Sequence, residues 1–561
     1  MGQRYRAYYP KDDSAQTDGQ LAWIGVRCKG EPDQLPEGYV YDGRNITFSG
    51  QVAQTRLGSM TPASFMSAQL AAPLYGAGIF SDPKDREWLL LAAGDRIWRM
   101  RDGCTARSVQ TPAPSTKRVE FVQTFGSMLL FRGSQAVPWS WDGDVRDAFA
   151  PVPQTDLGDG TQPIPNGTDR IGLRPVVMNS RSFVPHDRNF LAVSDILDFT
   201  RYDNVFSDYY VGGANDHLLV ALYAYQQSSL LVFLDQSIQI LSGLTGDLSS
   251  AALGPVNDQI GCCAANSVAM VGSDVFFLST TGVYRLSQVI QNRIQTPPTP
   301  VSEAIEPYIK RITWSAVAGA CAAVIGRYYV LAVPLDLRTV NSALLVYDAA
   351  SDAWHGIHTF PSGVQFDSLQ VTDYQGEKRL YGIDFANARV HLLFQGRHDV
   401  IGSTVYDIPC SVEIKRCDLL QTTLAGQKRF RRGKVVLRGW NPDYSIALKS
   451  EGVNQVQTLR ANVIKDRTRY KTHGAPKYNP ANTGDNHGAP LREDYSVDIG
   501  TAFDPGTNGV DPDLEQTHTE PLAIRTQTRG ASVIVSNQQG TMAVVAVELE
   551  GDAANRAGRP R

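Results

Sequence analysis

A run of apolar and β-branched residues, a two-residue polar corner and a second such run recur along this chain about every 40 to 50 residues. The clearest copy lies in 217–245, where Leu230–Leu234 and Ser237–Leu241 flank the Asp235-Gln236 corner. In its second run Ile238 and Ile240 fall on one face, and Ser237, Gln239 and Leu241 on the other, the period of two that a sheet requires. Related pairs are Trp88–Ala93 with Arg96–Met100, Phe121–Phe125 with Met128–Arg132, and Pro175–Met178 with Arg181–Val184. Three more are Ser267–Val271 with Val275–Ser279, Ala320–Ile325 with Tyr328–Val333, and Ser368–Thr372 with Arg379–Asp384. One small sheet of this kind cannot bury both of its faces. The copies must therefore pack face to face, and closing them into a ring removes the exposed edges. This predicts an all-β chain built on a β-propeller of roughly six to eight blades, a pair of β-sandwiches being the alternative.

The text on either side of the repeats is different. Residues 1–60 are expected to form an arm and a hairpin turning at Asp42-Gly43, and to join the platform domain. The propeller is assigned 61–404. Beyond it, 405–561 alternates as strands with one wet face do, giving a β-sandwich-like platform domain with a long polar loop at 466–518. Within the ring, 151–170 is a Gly- and Pro-rich excursion without periodicity, expected either to be disordered or to make contacts, and 154–168 should be removable without loss of the fold. Only Ser302–Ile312 reads as helical, and Pro307 restricts it to a short or kinked piece.

Several function classes lose support at this level. A net charge of −4 provides no broad cationic face for sequence-specific nucleic-acid binding. No apolar run is long enough to span a bilayer, and the first residues lack the apolar core of a signal peptide, which points to synthesis and assembly in a cytoplasm. Seven scattered cysteines without a C-x-x-C spacing read as free thiols. No His-Glu-x-x-His pattern, phosphate-binding Gly-rich loop or sialidase-type Ser-x-Asp-x-Gly-x-Thr-Trp box occurs. His355 and His358, three apart in strand text, are expected on opposite faces at the surface. The chain therefore reads as a non-enzyme without cofactor or metal. The densest charge cluster, Lys428, Arg429, Arg431, Arg432 and Lys434, could meet DNA phosphates or an acidic neighbouring subunit, or could be a solvated turn between strands.

The wording of three stretches resembles a known family. Leu230–Gly243 with Val275–Leu286, Val193–Asp203, and Tyr41–Ile46 with Thr55–Gly58 are similar to the propeller of tail hub or nozzle proteins of short-tailed (podovirus-like) bacteriophages. That resemblance covers about 38–400. It implies a virion tail protein forming a homo-oligomeric ring, a hexamer, that prolongs the DNA channel below the portal and adaptor. Its partners would be the tail adaptor, tail fibre or tail needle proteins and the genomic DNA that it retains and then passes. A receptor- or glycan-binding tail-tip propeller is the alternative, with a propeller glycoside hydrolase behind it.

Overall fold

The computed structural model describes residues 16–50, 52–62, 65, 70–144, 146–154, 161–203, 208–213, 215–246, 248–291, 298–419, 428–440, 443–450, 456–463 and 516–553. The chain divides into two compact units. One comprises 58–395 and 399–406; the other comprises 1–57, 396–398 and 407–561. The sequence boundaries near 60 and 404 fall beside these divisions.

The first unit is a β-propeller whose sheets follow the chain in order. The first blade is Leu74–Ser81, Glu87–Ala93, Arg96–Met100 and Arg107–Gln110, each strand antiparallel to the last. The second is Glu120–Thr124, Ser127–Phe131, Trp139–Trp141 and Ala150–Pro151. Val176–Met178, Arg181–His186, Phe190–Asp195 and Asp198–Asp203 make the third. The fourth, Leu219–Tyr225, Ser229–Leu234, Ile238–Ser242 and Ala252–Asn257, contains the clearest sequence repeat. Ala269–Val271, Asp274–Ser279 and Gly282–Arg285 form the fifth, followed by the helix Leu286–Gln291. The sixth is Cys321–Ile325, Tyr328–Val333, Ala343–Asp348 and Ala353–Thr359. In the seventh, Ser368–Tyr374, Glu377–Asp384 and Arg389–Leu393 are completed by Ser59–Met60 from the other end of the unit.

Middle strands explain why these sheets need each other. Leu230, Val232 and Leu234 pack against Phe183, Leu191 and Val193 of the third blade. Their alternates, Leu231 and Phe233, pack against Val275 and Phe277 of the fifth. The same division recurs in the first blade, where Leu90 and Ala92 meet Phe121, Met128 and Trp139 of the second, while Leu89 and Leu91 meet Tyr381 and Ile383 of the seventh. Leu129 and Phe131 carry the second blade onto Val184, Ala192 and Tyr202 of the third. Phe276 of the fifth lies 5.5 Å from Tyr329 and 5.4 Å from Tyr347 of the sixth, ring centre to ring centre. Val330 and Ala332 of the sixth meet Leu369 and Leu380 of the seventh. Each blade thus buries both faces, which is why its central strand reads as continuously apolar rather than alternating.

Closure rests on few atoms. Ser59–Met60 pairs antiparallel with Leu392–Leu393, and the Ser59 hydroxyl donates to a buried Asp399 carboxylate at 2.9 Å. The Gln395 amide donates to the Gly58 carbonyl at 2.9 Å, and the Leu74 amide to the Phe385 carbonyl at 2.7 Å, joining the seventh blade to the first. An extra hairpin, Asp399–Ile401 with Thr404–Tyr406, extends the seventh sheet beyond Ser59–Met60.

The second unit is built from both chain ends. In one sheet Gln16–Gln20, Ile46–Ser49, Val52–Thr55, Lys428–Trp440, Gln516–Thr528 and Thr541–Ala553 lie together; in the other, Asp42–Arg44, Cys410–Glu413, Asp443–Ser450, Val456–Val463 and Ala531–Asn537. The Thr55 hydroxyl donates to the Met542 carbonyl at 3.1 Å and lies 3.3 Å from the Cys410 sulfur of the facing sheet. Tyr444 likewise donates across to Glu520. The loop 466–518 falls largely outside the described residues.

Three sequence expectations change. Asp42-Gly43 is strand, paired with Val412 and Glu413, and the hairpin turns later, between Ser49 and Val52. Gly43 is there for close packing: a Cβ would lie 2.6 Å from Ile46 and 2.9 Å from Val26 side-chain carbons. The helical segment is short, as Pro307 requires, with a 3-10 turn, Val301–Ile305, and one α-turn, Glu306–Ile309, but it is not alone: Leu286–Gln291 is a second α-helix. The described parts of the excursion, 151–154 and 161–170, are packed. Thr161–Gln162 pairs with the third blade, Ile164 is buried with Val152 between the second and third, and Asp169 accepts from the Ser134 amide at 3.1 Å. Deleting 154–168 would therefore open a core. Ile164→Ala is expected to lower unfolding stability by about 2–5 kcal/mol, measurable by chemical denaturation; a loss under about 0.5 kcal/mol would contradict this packing.

Candidate functional site

The five cations of the densest cluster lie in a strand, not a turn. Lys428–Trp440 is hydrogen-bonded on both sides, to Gln516–Thr528 and to Thr541–Ala553. Register places Arg429 opposite Asp552, Arg432 opposite Glu550 and Lys434 opposite Glu548. Arg432 donates through two nitrogens to Glu550, both at 2.7 Å, the fork-to-carboxylate geometry that guanidinium favours. Lys434 lies 2.9 Å from Glu548, and the buried Lys428 ammonium lies 3.9 Å from Asp418. Arg431 sits at the bulge between Phe430 and Arg432. The matching signal was present in the sequence as Glu548, Glu550 and Asp552, alternate positions of one strand, but pairing a basic strand with an acidic one far away needs the register.

The inner wall of the propeller is the other candidate. The first strand of each blade touches the first strand of the next, directly or through the turn Ala265–Ser267, and Ser368–Tyr374 touches Leu74–Ser81 to close the circle. These seven strands contain Glu120 and Asp373 but no Lys, Arg or His. Neighbouring first strands contact one another all the way round, so these seven strands line the central passage.

Beside that passage a polar cleft of about 280 Å³ is lined by Lys117, Arg118, Glu120, Gly133, Asp169 and Arg170. Its charged groups already serve the protein. Arg118 donates to Glu120 at 3.2 Å and lies over the Phe385 ring of the seventh blade at 5.3 Å. Arg170 donates to the Leu219 carbonyl at 2.6 Å and to those of Asp187 and Arg188. Lys117 pairs with Asp169 at 3.5 Å. Such an arrangement clamps connections between blades.

His355 and His358 depart from expectation: both are buried, and on one face. The strand pairing shifts between Leu345 and Tyr347, where a bulge at Gly356, with φ of 92°, inserts one residue and restores the same side at a spacing of three. His355 lies edge-on to Tyr328 and His358 edge-on to Phe394. Among the described residues no group of three or more His, Cys, Asp or Glu could hold a metal ion, and the seven cysteines form no disulfide. Burial pushes the Cys262 thiol up to about 11, away from nucleophilic use at neutral pH. No helix among the described residues is long and apolar enough to cross a membrane.

No family model and no curated protein matches the chain. Solved structures of similar fold include BamB from Moraxella catarrhalis, with a TM-score of 0.36 and 11% identity over 60% of this chain and 97% of that one. Another is the extracellular domain of a one-component system of B. thetaiotaomicron, with a TM-score of 0.37 and 10% identity over 76% of this chain and 58% of that one. A hybrid two-component system of the same organism gives 0.38 and 9% over 62% and 42%. Scores this low carry no argument, so the assignment to propellers rests on the closed circle of blades described above.

Two measurements check the electrostatics of these sites. Glu548→Gln with Glu550→Gln should unmask the basic strand and move elution from a heparin column to higher salt; unchanged elution would contradict the pairing. Burial holds both His355 and His391 down at about 4, below the 6.5 of an exposed imidazole. Between these values the unfolded chain binds protons that the folded chain refuses. Stability is therefore full above about pH 6.5 and falls toward pH 4, by up to about 3 kcal/mol per histidine. In His391→Gln protein the melting temperature should fall less steeply over that interval than in the unmodified protein; an equal slope would refute the contribution of His391.

Proposed function

We propose that this chain is a structural tail protein of a short-tailed bacteriophage, a nozzle or hub subunit of which several copies, six in the simplest form, surround the path of the genomic DNA. The observation that carries the reading is the second unit, assembled from both chain ends, while the propeller takes the middle of the sequence. The resembling family has that organisation. Support also comes from the position of the resembling text: Leu230–Gly243 and Val275–Leu286 supply facing surfaces of adjacent blades, including the Phe233–Phe277 contact at 5.1 Å.

The channel would lie between copies, as in the ring that the resembling family forms, with each propeller as one wall segment rather than a bead on the DNA. A wall of nearly balanced charge holds the phosphate backbone weakly and lets it slide. The ring would sit in the virion tail, with the adaptor on one side and fibre or needle proteins as further partners, after assembly in the host cytoplasm.

Electron microscopy and native mass spectrometry of the purified full chain test this. A closed ring of several copies with an axial channel wider than about 20 Å is expected, alone or on addition of adaptor-portal complexes. A monomer that neither forms rings nor joins such complexes would overturn it.

A further inference from the structure

The third blade ends in an aromatic row that its core does not need. Register sets His186 opposite Phe190 and Phe190 opposite Tyr210, so three strands present three rings side by side. The Phe190 ring lies 5.8 Å from His186 and 5.5 Å from Tyr210. One step along the same face, Val184 and Ala192 are buried against the second blade, but Phe190 is 37% and Tyr210 44% exposed. Burial cannot account for rings left in water at this position.

These rings are held still. The Tyr210 hydroxyl donates to Asp216 at 2.6 Å, and Asn189 fixes the same carboxylate oxygen at 2.6 Å. The two nitrogens of His186 lie 3.1 Å from Asp187 and 2.9 Å from Asp208. Next to the row is a cleft of about 310 Å³, lined by His186 of the row, by Asp208 and by Gln154, Gln162, Pro163 and Asn166 of the excursion, with Phe190 and Tyr210 one same-face step beyond Ala192 and Asp208, outside its lining. Its floor includes Ala192 and the buried Tyr202.

This combination selects a chemical class. Exposed aromatic faces accept an apolar C–H surface, whereas amides, a carboxylate and an imidazole exchange hydrogen bonds with hydroxyls in both directions. Asp187 and Asp208 at the rim repel an anion. The volume matches one small cyclic ligand at the lower end of ordinary binding clefts. We propose that this cleft binds a neutral hexose unit of a polysaccharide, its hydroxyls meeting Asp208, Gln162 and Asn166, while the neighbouring unit stacks on Tyr210 and Phe190 just beyond the cleft. The assignment goes beyond the nozzle reading and does not depend on it, since every residue belongs to the second and third blades of one copy.

Saturation-transfer NMR on the purified full chain, with glucose, galactose, mannose, N-acetylglucosamine and maltotetraose as probes, tests it. Transfer to ring protons of at least one probe is expected, with binding about tenfold weaker in Tyr210→Ala and in Gln162→Ala protein and unchanged in Val405→Ala, an exposed position on the seventh blade. Far-UV circular dichroism confirms that each variant is folded. If Tyr210→Ala fails to fold, the exposed Gln162→Ala variant decides. No transfer to any probe, or transfer of equal strength in the folded cleft variants, overturns the proposal, whatever the oligomeric state proves to be.

Discussion

The propeller exists because its sheets are apolar on both faces. Leu230, Val232 and Leu234 look one way and Leu231 and Phe233 the other, so a lone blade would leave one set in water at about 1.5–3 kcal/mol for each large side chain. A stack would only move that problem to its two ends. The circle has no ends, and the cost falls instead on one seam, where Ser59–Met60 must return to Leu392–Leu393. The buried Asp399 that takes the Ser59 hydroxyl ties the seam to the hairpin beyond it. Loss of that short strand would expose the edge that ring closure exists to hide.

The same constraint accounts for where polar chemistry is found. Surfaces between blades are consumed by packing, and the inner strands carry almost no charge. Buried histidines at 355, 358 and 391 are packing elements whose rings lie against aromatic neighbours. Groups able to recognise another molecule are therefore left to connections and outer strands. That is where Arg118 and Arg170 clamp neighbouring blades, and where the row of His186, Phe190 and Tyr210 borders its cleft. The basic strand of the second unit follows a related rule: a cation column in a sheet is stable beside an anion column, and Arg432 with Glu550 is its best-formed pair.

Much of the fold was legible from residues alone because its determinants are local. Polar corners such as Asp235-Gln236, the alternation of Ile238 and Ile240, and the 40–50-residue spacing each follow from strand geometry. Errors arose where a distant partner decides. Asp42-Gly43 has the composition of a turn, yet Cys410–Glu413 draws it into a sheet. The 151–170 stretch lacks periodicity, yet Ile164 finds a core between two blades. His355 and His358 share a face only because of an inserted residue at Gly356, which spacing rules do not contain.

By itself, then, the sequence determined the kind of unit, its repetition and the need to close it, since apolar patterning and turn chemistry act over a few residues. Tertiary structure alone decided the seam at Ser59–Met60, the acid column opposite Lys428–Lys434, and the meeting of Gln162 with His186 and Asp208 at one cleft. The physical reason is register. Which side chain faces which across a sheet or between blades is set by pairings that span the chain, and no local pattern encodes them.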